Sequence, residues 1–184
     1  MAMKNRRFPC TVFTFGAFTL ALAGPLLVSA AEVTVAWPVG WQVEPIPSEP
    51  GSEVSRQRAT KLDEKGDPAM VVELSQSPVE AGHVVNVAGV VLEMRKAVQQ
   101  NFSRGGYQSA CTRVKSNTLN NVPAAQTTCT ITLNGGHVIT QTLLAGAGPS
   151  RVWALSYAGT PEGYLANEGA VLEIRSSLVL SAEH

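Results

Sequence analysis

The sequence predicts an α+β domain dominated by antiparallel strands, and three observations carry that expectation. Between Tyr107 and Tyr157, four strand-like runs are separated by turn-forming clusters. Upstream, between Asn86 and Gly106, apolar residues recur at the three- and four-residue spacing of a helix. Near the C-terminus, Thr160-Pro161-Glu162 combines a capping hydroxyl, a proline at the first helical position and an acid at the positive end of the helix dipole.

The first thirty residues read as a secretory signal peptide rather than as part of the domain. Lys4, Arg6 and Arg7 precede an apolar run from Thr11 to Val28, and small residues at Val28-Ser29-Ala30-Ala31 suit cleavage after Ala30 or Ala31. Gly24-Pro25 interrupts that run, which disfavours an uncleaved membrane anchor. Cys10 lies before the run, where no lipoprotein anchor can use it. Removing residues 1–30 leaves 154 of the 184, a length suited to one domain over 31–184 with its own core. The mature part then carries 11 Lys and Arg against 14 Asp and Glu, a net charge of −3. Such a balance argues against nucleic acid, which needs clustered cations to displace phosphate counterions, and against a stable membrane association after cleavage.

In chain order, Glu32–Ala36 reads as a short strand and Trp37-Pro38-Val39-Gly40-Trp41 as a turn between two extended pieces. Pro45, Pro47, Pro50 and Gly51 read as a stiff connector. Trp37 and Trp41 either close one end of the core or offer an aromatic platform to a ligand or partner. Glu53–Lys61 and Ala69–Gln76 are strands around a hairpin loop. That loop holds Asp63, Glu64 and Asp67, but without the alternating oxygen ligands and distal Glu of a calcium loop, so no metal is expected there. The first helix has Asn86 as N-cap, Gly105-Gly106 as stop, and Val87, Val90, Val91, Met94, Val98 and Phe102 on one stripe that must cover a sheet.

The four runs from Tyr107 carry the two cysteines of the mature chain. A hairpin centred near residue 120 sets Cys111 opposite Cys129, Ser109 opposite Ile131 and Tyr107 opposite Leu133. Cys129, Ile131 and Leu133 then share one apolar face, while Thr128, Thr130 and Thr132 share the other. In an exported chain this predicts a buried structural disulfide, Cys111–Cys129, rather than a redox-active Cys-x-x-Cys pair. Asn134-Gly135-Gly136 is a hairpin turn into His137–Ala145, whose register stays open between Val138/Thr140 and Ile139/Gln141. Arg151–Tyr157 alternates Trp153, Leu155 and Tyr157 with smaller residues, as a central or helix-covered strand does. The last helix is expected to reach about Ser176, with Leu165, Leu172 and Ile174 facing the core, and Ser177–Leu180 closing the fold.

No pattern of catalysis emerges. His83, His137 and His184 stand alone, the G-x-S-x-G elbow, H-E-x-x-H and Cys/His ligand spacings are absent, and no Gly-rich phosphate motif joins a strand to a helix. The expectation is a non-enzymatic protein without cofactor.

Element order, the Trp37-Pro38-Val39-Gly40-Trp41 turn and the Pro-started last helix together resemble the PsbP-like and DcrB-like proteins. More closely, they resemble an uncharacterised family of exported proteins from Gram-negative bacteria. The resemblance spans most of residues 32–180. It implies an antiparallel sheet flanked by helices on both faces, and relatives that are mostly non-catalytic accessory proteins of larger assemblies. The Cys111/Cys129 pair stands outside the broad PsbP-like pattern. The expected role is a periplasmic accessory protein with a protein partner in the cell envelope; the alternative is a small-ligand or lipid binding module using a cleft between sheet and helix.

Overall fold

Extended residues dominate the structure, a computed structural model that describes residues 35–178. The signal peptide expected over 1–30 lies outside the described residues, as do 32–34 of the expected first strand. Among the described residues, eight strands form one antiparallel sheet: β1 (Gln42–Pro45), β2 (Ser55–Leu62), β3 (Pro68–Pro78), β4 (Gln108–Cys111), β5 (Lys115–Leu119), β6 (Val122–Leu133), β7 (Gly136–Ala147) and β8 (Arg151–Gly159). Their order is β1-β2-β3-β8-β7-β6-β4, with β5 also beside β6. β8 is central, between β3 and β7, as its alternating pattern predicts. β1 is the second of the two extended pieces expected around the Trp37–Trp41 turn, and it takes in Pro45, the first residue of the proline-rich connector. It is a four-residue edge strand, the one place in a sheet where Pro45 leaves no ladder bond unmade.

The register at the cysteines follows the hairpin centre that the sequence implies. Cys111 pairs with Cys129 and Ser109 with Ile131, but Tyr107 stays outside the ladder, since β4 begins at Gln108. After Cys111 the expected single strand breaks at Thr112–Val114. β5 then re-enters one residue out of step, with Lys115 opposite Gln126. Thr112 pins this bulge: its amide donates to Thr128 O at 2.9 Å and its hydroxyl accepts from the Thr128 amide at 3.1 Å. The hairpin closes with only Asn120 and Asn121, both at positive φ (42° and 67°), a conformation asparagine tolerates and a two-residue antiparallel hairpin requires. Pro123 accordingly belongs to β6, where it precedes the β7 ladder that starts at Ala124. The open register of β7 resolves as Thr130 opposite Thr140 and Ile131 opposite Ile139, followed by a bulge.

Helix α1 (Val87–Arg104) has the predicted ends. Asn86 Oδ1 accepts from the Gly89 amide at 3.0 Å, and Gly105 donates its N–H to Phe102 O at 3.0 Å. Its stripe lies over β4, β6 and β7. Val87, Val90, Val91 and Met94 pack on Ala125 and Ala145, and Val98 and Phe102 on Cys129, Ile131 and Leu143. The opposite sheet face carries the larger core, where Met70, Val72, Leu74, Leu144, Trp153 and Leu155 meet Val171, Ile174 and Leu178. Helices therefore flank the sheet on both faces.

The last helix is two helices. α2 (Pro161–Ala166) starts at Thr160, whose Oγ1 accepts from the Gly163 amide at 3.0 Å, and stops at Asn167; α3 (Glu168–Ser177) follows directly. At the junction the Asn167 N–H still makes the helical bond to Gly163 O at 3.1 Å, and its side-chain amide donates to the same carbonyl at 2.8 Å. One buried stripe runs through both helices from Gly163 to Val171, Ile174 and Leu178, and it overturns two expected core positions, which lie on its far side: Leu165 is 73% and Leu172 56% exposed, while Ile174 is buried as predicted. The α3 stripe is instead Val171, Ile174 and the following Leu178.

Candidate functional site

Strand geometry first brings the site's polar groups together. Thr128 of β6 lies opposite Thr142 of β7, and Thr142 opposite Tyr157 of β8, so one row across three strands carries three hydroxyls on the face toward α2 and α3. The adjacent row begins with Gln126. Over this floor α2 brings Tyr164, whose ring stacks on Tyr157 at a centroid distance of 5.7 Å and 24° between planes. Tyr164 OH lies 2.7 Å from Thr142 Oγ1, which lies 2.7 Å from Thr128 Oγ1, making a continuous chain of three hydroxyls.

α2 and α3 approach the sheet differently, and a chamber opens under α3. α2 is pressed against β3, β7 and β8, and a Cβ on either Gly163 or Gly159 would overlap Ala69 O of β3. α3 stands farther off and reaches the core through Val171 and Ile174. Between α3 and the hydroxyl row lies a cavity of about 240 Å³, walled by Met70, Tyr157, Tyr164 and Val171. Glu168, Leu172 and Arg175, at i, i+4 and i+7 of α3, form its rim.

Electrostatically the chamber favours neutral hydroxyls and presents one cation. Burial, the dominant cause, raises the Tyr164 phenol above its ordinary range against the opposing hydrogen bond to Thr142, so the phenol stays protonated. Gln126 accepts from Asn117 Nδ2 of β5 through Oε1, which turns its Nε2 donors elsewhere. Among the described residues, no histidine, cysteine or aspartate lines the chamber. The arrangement supplies hydrogen-bond donors and acceptors, an aromatic wall and a guanidinium at its mouth.

The residues singled out from sequence lie apart from this chamber. Cys111 and Cys129 form the disulfide under α1, with Cα atoms 3.9 Å apart and Cys129 fully buried. Trp37 and Trp41 pack half-buried against the main core, and Trp37 Nε1 donates to Gln57 Oε1 at 3.3 Å. Asp63 organises its own loop, its Oδ1 accepting from the Asp67 and Lys65 amides at 2.9 and 2.8 Å. The first of these bonds is the main reason its carboxyl is held below the usual range. His137 Nε2 lies 3.0 Å from Thr140 Oγ1 at the exposed start of β7. Tyr164, Gln126, Glu168 and Arg175 escaped sequence reasoning. The available signal was the alternation Gln126, Thr128, Thr130 on a β6 face that a helix covers.

Comparison with known proteins agrees on the fold. The solution structure of cyanobacterial PsbP (CyanoP) from Synechocystis sp. PCC 6803 matches with a TM-score of 0.58 at 10% identity, over 86% of this chain and 96% of that one. The fold is thus PsbP-like. The crystal structure of LpqN, involved in cell envelope biogenesis of Mycobacterium tuberculosis, matches with a TM-score of 0.48 at 17% identity, over 78% of this chain and 79% of that one. Curated proteins yield no significant sequence match. Residues 32–180 match the domain of unknown function DUF4946, and the chain belongs to that family.

Proposed function

We propose that the protein is a non-enzymatic accessory protein of the periplasm that works by holding a small molecule in the cleft between the sheet and α3. One observation carries this reading: a concave chamber with convergent polar groups, the linked hydroxyls of Thr128, Thr142 and Tyr164, sits beside an otherwise apolar core. A row of hydroxyls under a helix contributes less to stability than apolar residues in the same place, so a binding role accounts for it better than packing does. The protonated Tyr164, its hydroxyl hydrogen-bonded to Thr142, suits binding rather than proton transfer.

The test is a thermal-shift screen of the mature protein against periplasmic metabolites and lipids. Thermal shift is the suitable readout because no tryptophan among the described residues lines the chamber. A binding member should raise Tm in the wild type and lose that effect in Thr128→Leu, which fills the chamber and cuts the hydroxyl chain. Shifts that persist unchanged in Thr128→Leu would place binding elsewhere.

Recognition of an envelope protein is the second reading, favoured by the sheet surface beside α1. There Glu73 holds Arg58 at 2.6 Å among the half-buried Ser75, Ala154 and Ser156 of β3 and β8, a polar, small-residue surface suited to a polar partner. A photo-crosslinker at Ser75 should trap that partner in the periplasm, and repeated failure from well-expressed protein would count against it.

A further inference from the structure

The donors and acceptors of the chamber can be counted, and the count is unbalanced. Three hydroxyls joined by two hydrogen bonds use two of their three O–H protons, so one proton at an end of the chain, on Thr128 or on Tyr164, remains, and Tyr157, which also lines the cavity, adds a fourth hydroxyl beside it. Gln126 uses its oxygen on Asn117, which leaves both Nε2 protons without a partner among the described residues. Arg175 likewise has no ion-pair or hydrogen-bond partner among the described residues, although it is only partly exposed and lines the cavity. Against these donors stands one carboxylate, Glu168, two helical turns away at the other end of the rim. At 1.5 Å per residue the two charges are separated by about 10 Å along α3.

Such a site is complementary to an oxyanion at one end and to a hydrogen-bond donor at the other. We infer that the chamber takes a small hydroxy- or amino-carboxylate, its carboxylate on Arg175 and Gln126 and its donor end toward Glu168. The inference rests on the ligand-binding reading above and names the ligand's class. A planar guanidinium and a side-chain amide pair with the two oxygens of a carboxylate through parallel N–H···O bonds. Glu168 disfavours a dianion such as a phosphate monoester, which would bring a second negative charge within range of it. The volume of about 240 Å³ corresponds to about eight waters at their liquid density, the scale of a monosaccharide acid or smaller rather than of a lipid chain.

Matched probes that differ only at the acid test the class: glucuronate against glucose, and glycerate against glycerol, titrated calorimetrically into the mature protein. The acid of at least one pair should bind at least tenfold tighter than its neutral twin. Arg175→Gln should remove that preference while leaving Tm of the free protein nearly unchanged, Arg175→Lys should retain part of it, and Glu168→Gln should tighten the acid. Equal binding of acid and neutral twin, insensitive to Arg175→Gln but lost in Thr128→Leu, would overturn the carboxylate assignment and leave the ligand-binding reading standing. Silence from both pairs and from the wider screen would overturn both.

Discussion

The two helical layers of this sheet are built in opposite ways. α1 is one uninterrupted helix, capped by Asn86 and stopped by Gly105, that lays a continuous apolar stripe on alanines, leucines and the Cys111–Cys129 bridge. α2 and α3 come from a helix broken at Asn167, one half pressed against the strands through Gly163 and the other held off above polar residues. The first layer completes a core in the usual way, by burying apolar area and excluding water. The second layer leaves a chamber, and its glycine and its break are what set the chamber's height. The α2/α3 face thus combines the larger core with the chamber, whereas the α1 face is packing alone, and substitutions on the two faces should separate stability from binding.

Gly163→Ala should have the largest effect. Its new methyl would overlap the Ala69 carbonyl, a backbone atom that cannot swing aside, so α2 must lift from β3. A loss of about 3 kcal/mol is expected from overpacking of this kind, together with loss of the Tyr157–Tyr164 stack. Chemical denaturation measures the first and near-ultraviolet circular dichroism the second. A neutral Gly163→Ala would break the claim that close contact of α2 holds the chamber open.

On the other face, replacing both cysteines by alanine should cost nearly as much. The bridge closes a loop of 18 positions, for which the chain-entropy model gives about 3 kcal/mol. The comparison is sharpened by what should not change: ligand-induced thermal shifts scaled to the new Tm should survive, because the bridge lies under α1 and away from the chamber. Intact mass before and after reduction checks the bridge itself, since the oxidised protein should be two hydrogens lighter.

Tyr164→Phe has a smaller effect with a pH signature. Removing one buried, hydrogen-bonded hydroxyl should cost about 1 kcal/mol. Burial raises the folded-state pKa of Tyr164 above its unfolded value of about 10, so the folded state holds this proton more tightly. Its contribution is fully present below about pH 10 and is lost as pH rises above that toward the folded pKa. The wild type should therefore lose stability faster than Tyr164→Phe above pH 10, as equilibrium unfolding at several alkaline pH values will show. Identical slopes would mean that the phenol is not shielded by the chamber.

The two layers also differ in how far the sequence discloses them. α1, its caps and its stripe follow from local periodicity, and the Cys111/Cys129 register follows from a single hairpin centre, because both depend on residues close in sequence. The bulge at Thr112–Val114 was hidden, since one extra residue leaves the alternation on either side intact. So was the break at Asn167: Leu165 and Leu172 keep helical spacing, and only contact with Ala69, about a hundred residues away in the chain, shows that Gly163 rather than a leucine faces the sheet. The chamber was least legible. Its groups come from β3, β6, β7, β8, α2 and α3, and Thr128 reads as an ordinary outward threonine until a second helix is known to cover it.

Gly169→Ala is the smallest and most discriminating change. Gly169 lies in the first turn of α3, exposed, with nothing within 4 Å of a Cβ there. Alanine should stabilise the helix by about 0.5 kcal/mol, because glycine loses more backbone entropy on folding. For a domain of this size that is a rise of about 1 to 2 °C in Tm, resolvable by calorimetry. If packing of Val171 and Ile174 alone fixes the stand-off of α3, ligand affinity in this variant should equal that of the wild type. Weaker binding despite the higher Tm would mean instead that α3 must flex to admit the ligand, and that Gly169 serves the chamber in the way Gly163 does, through the backbone rather than through a side chain.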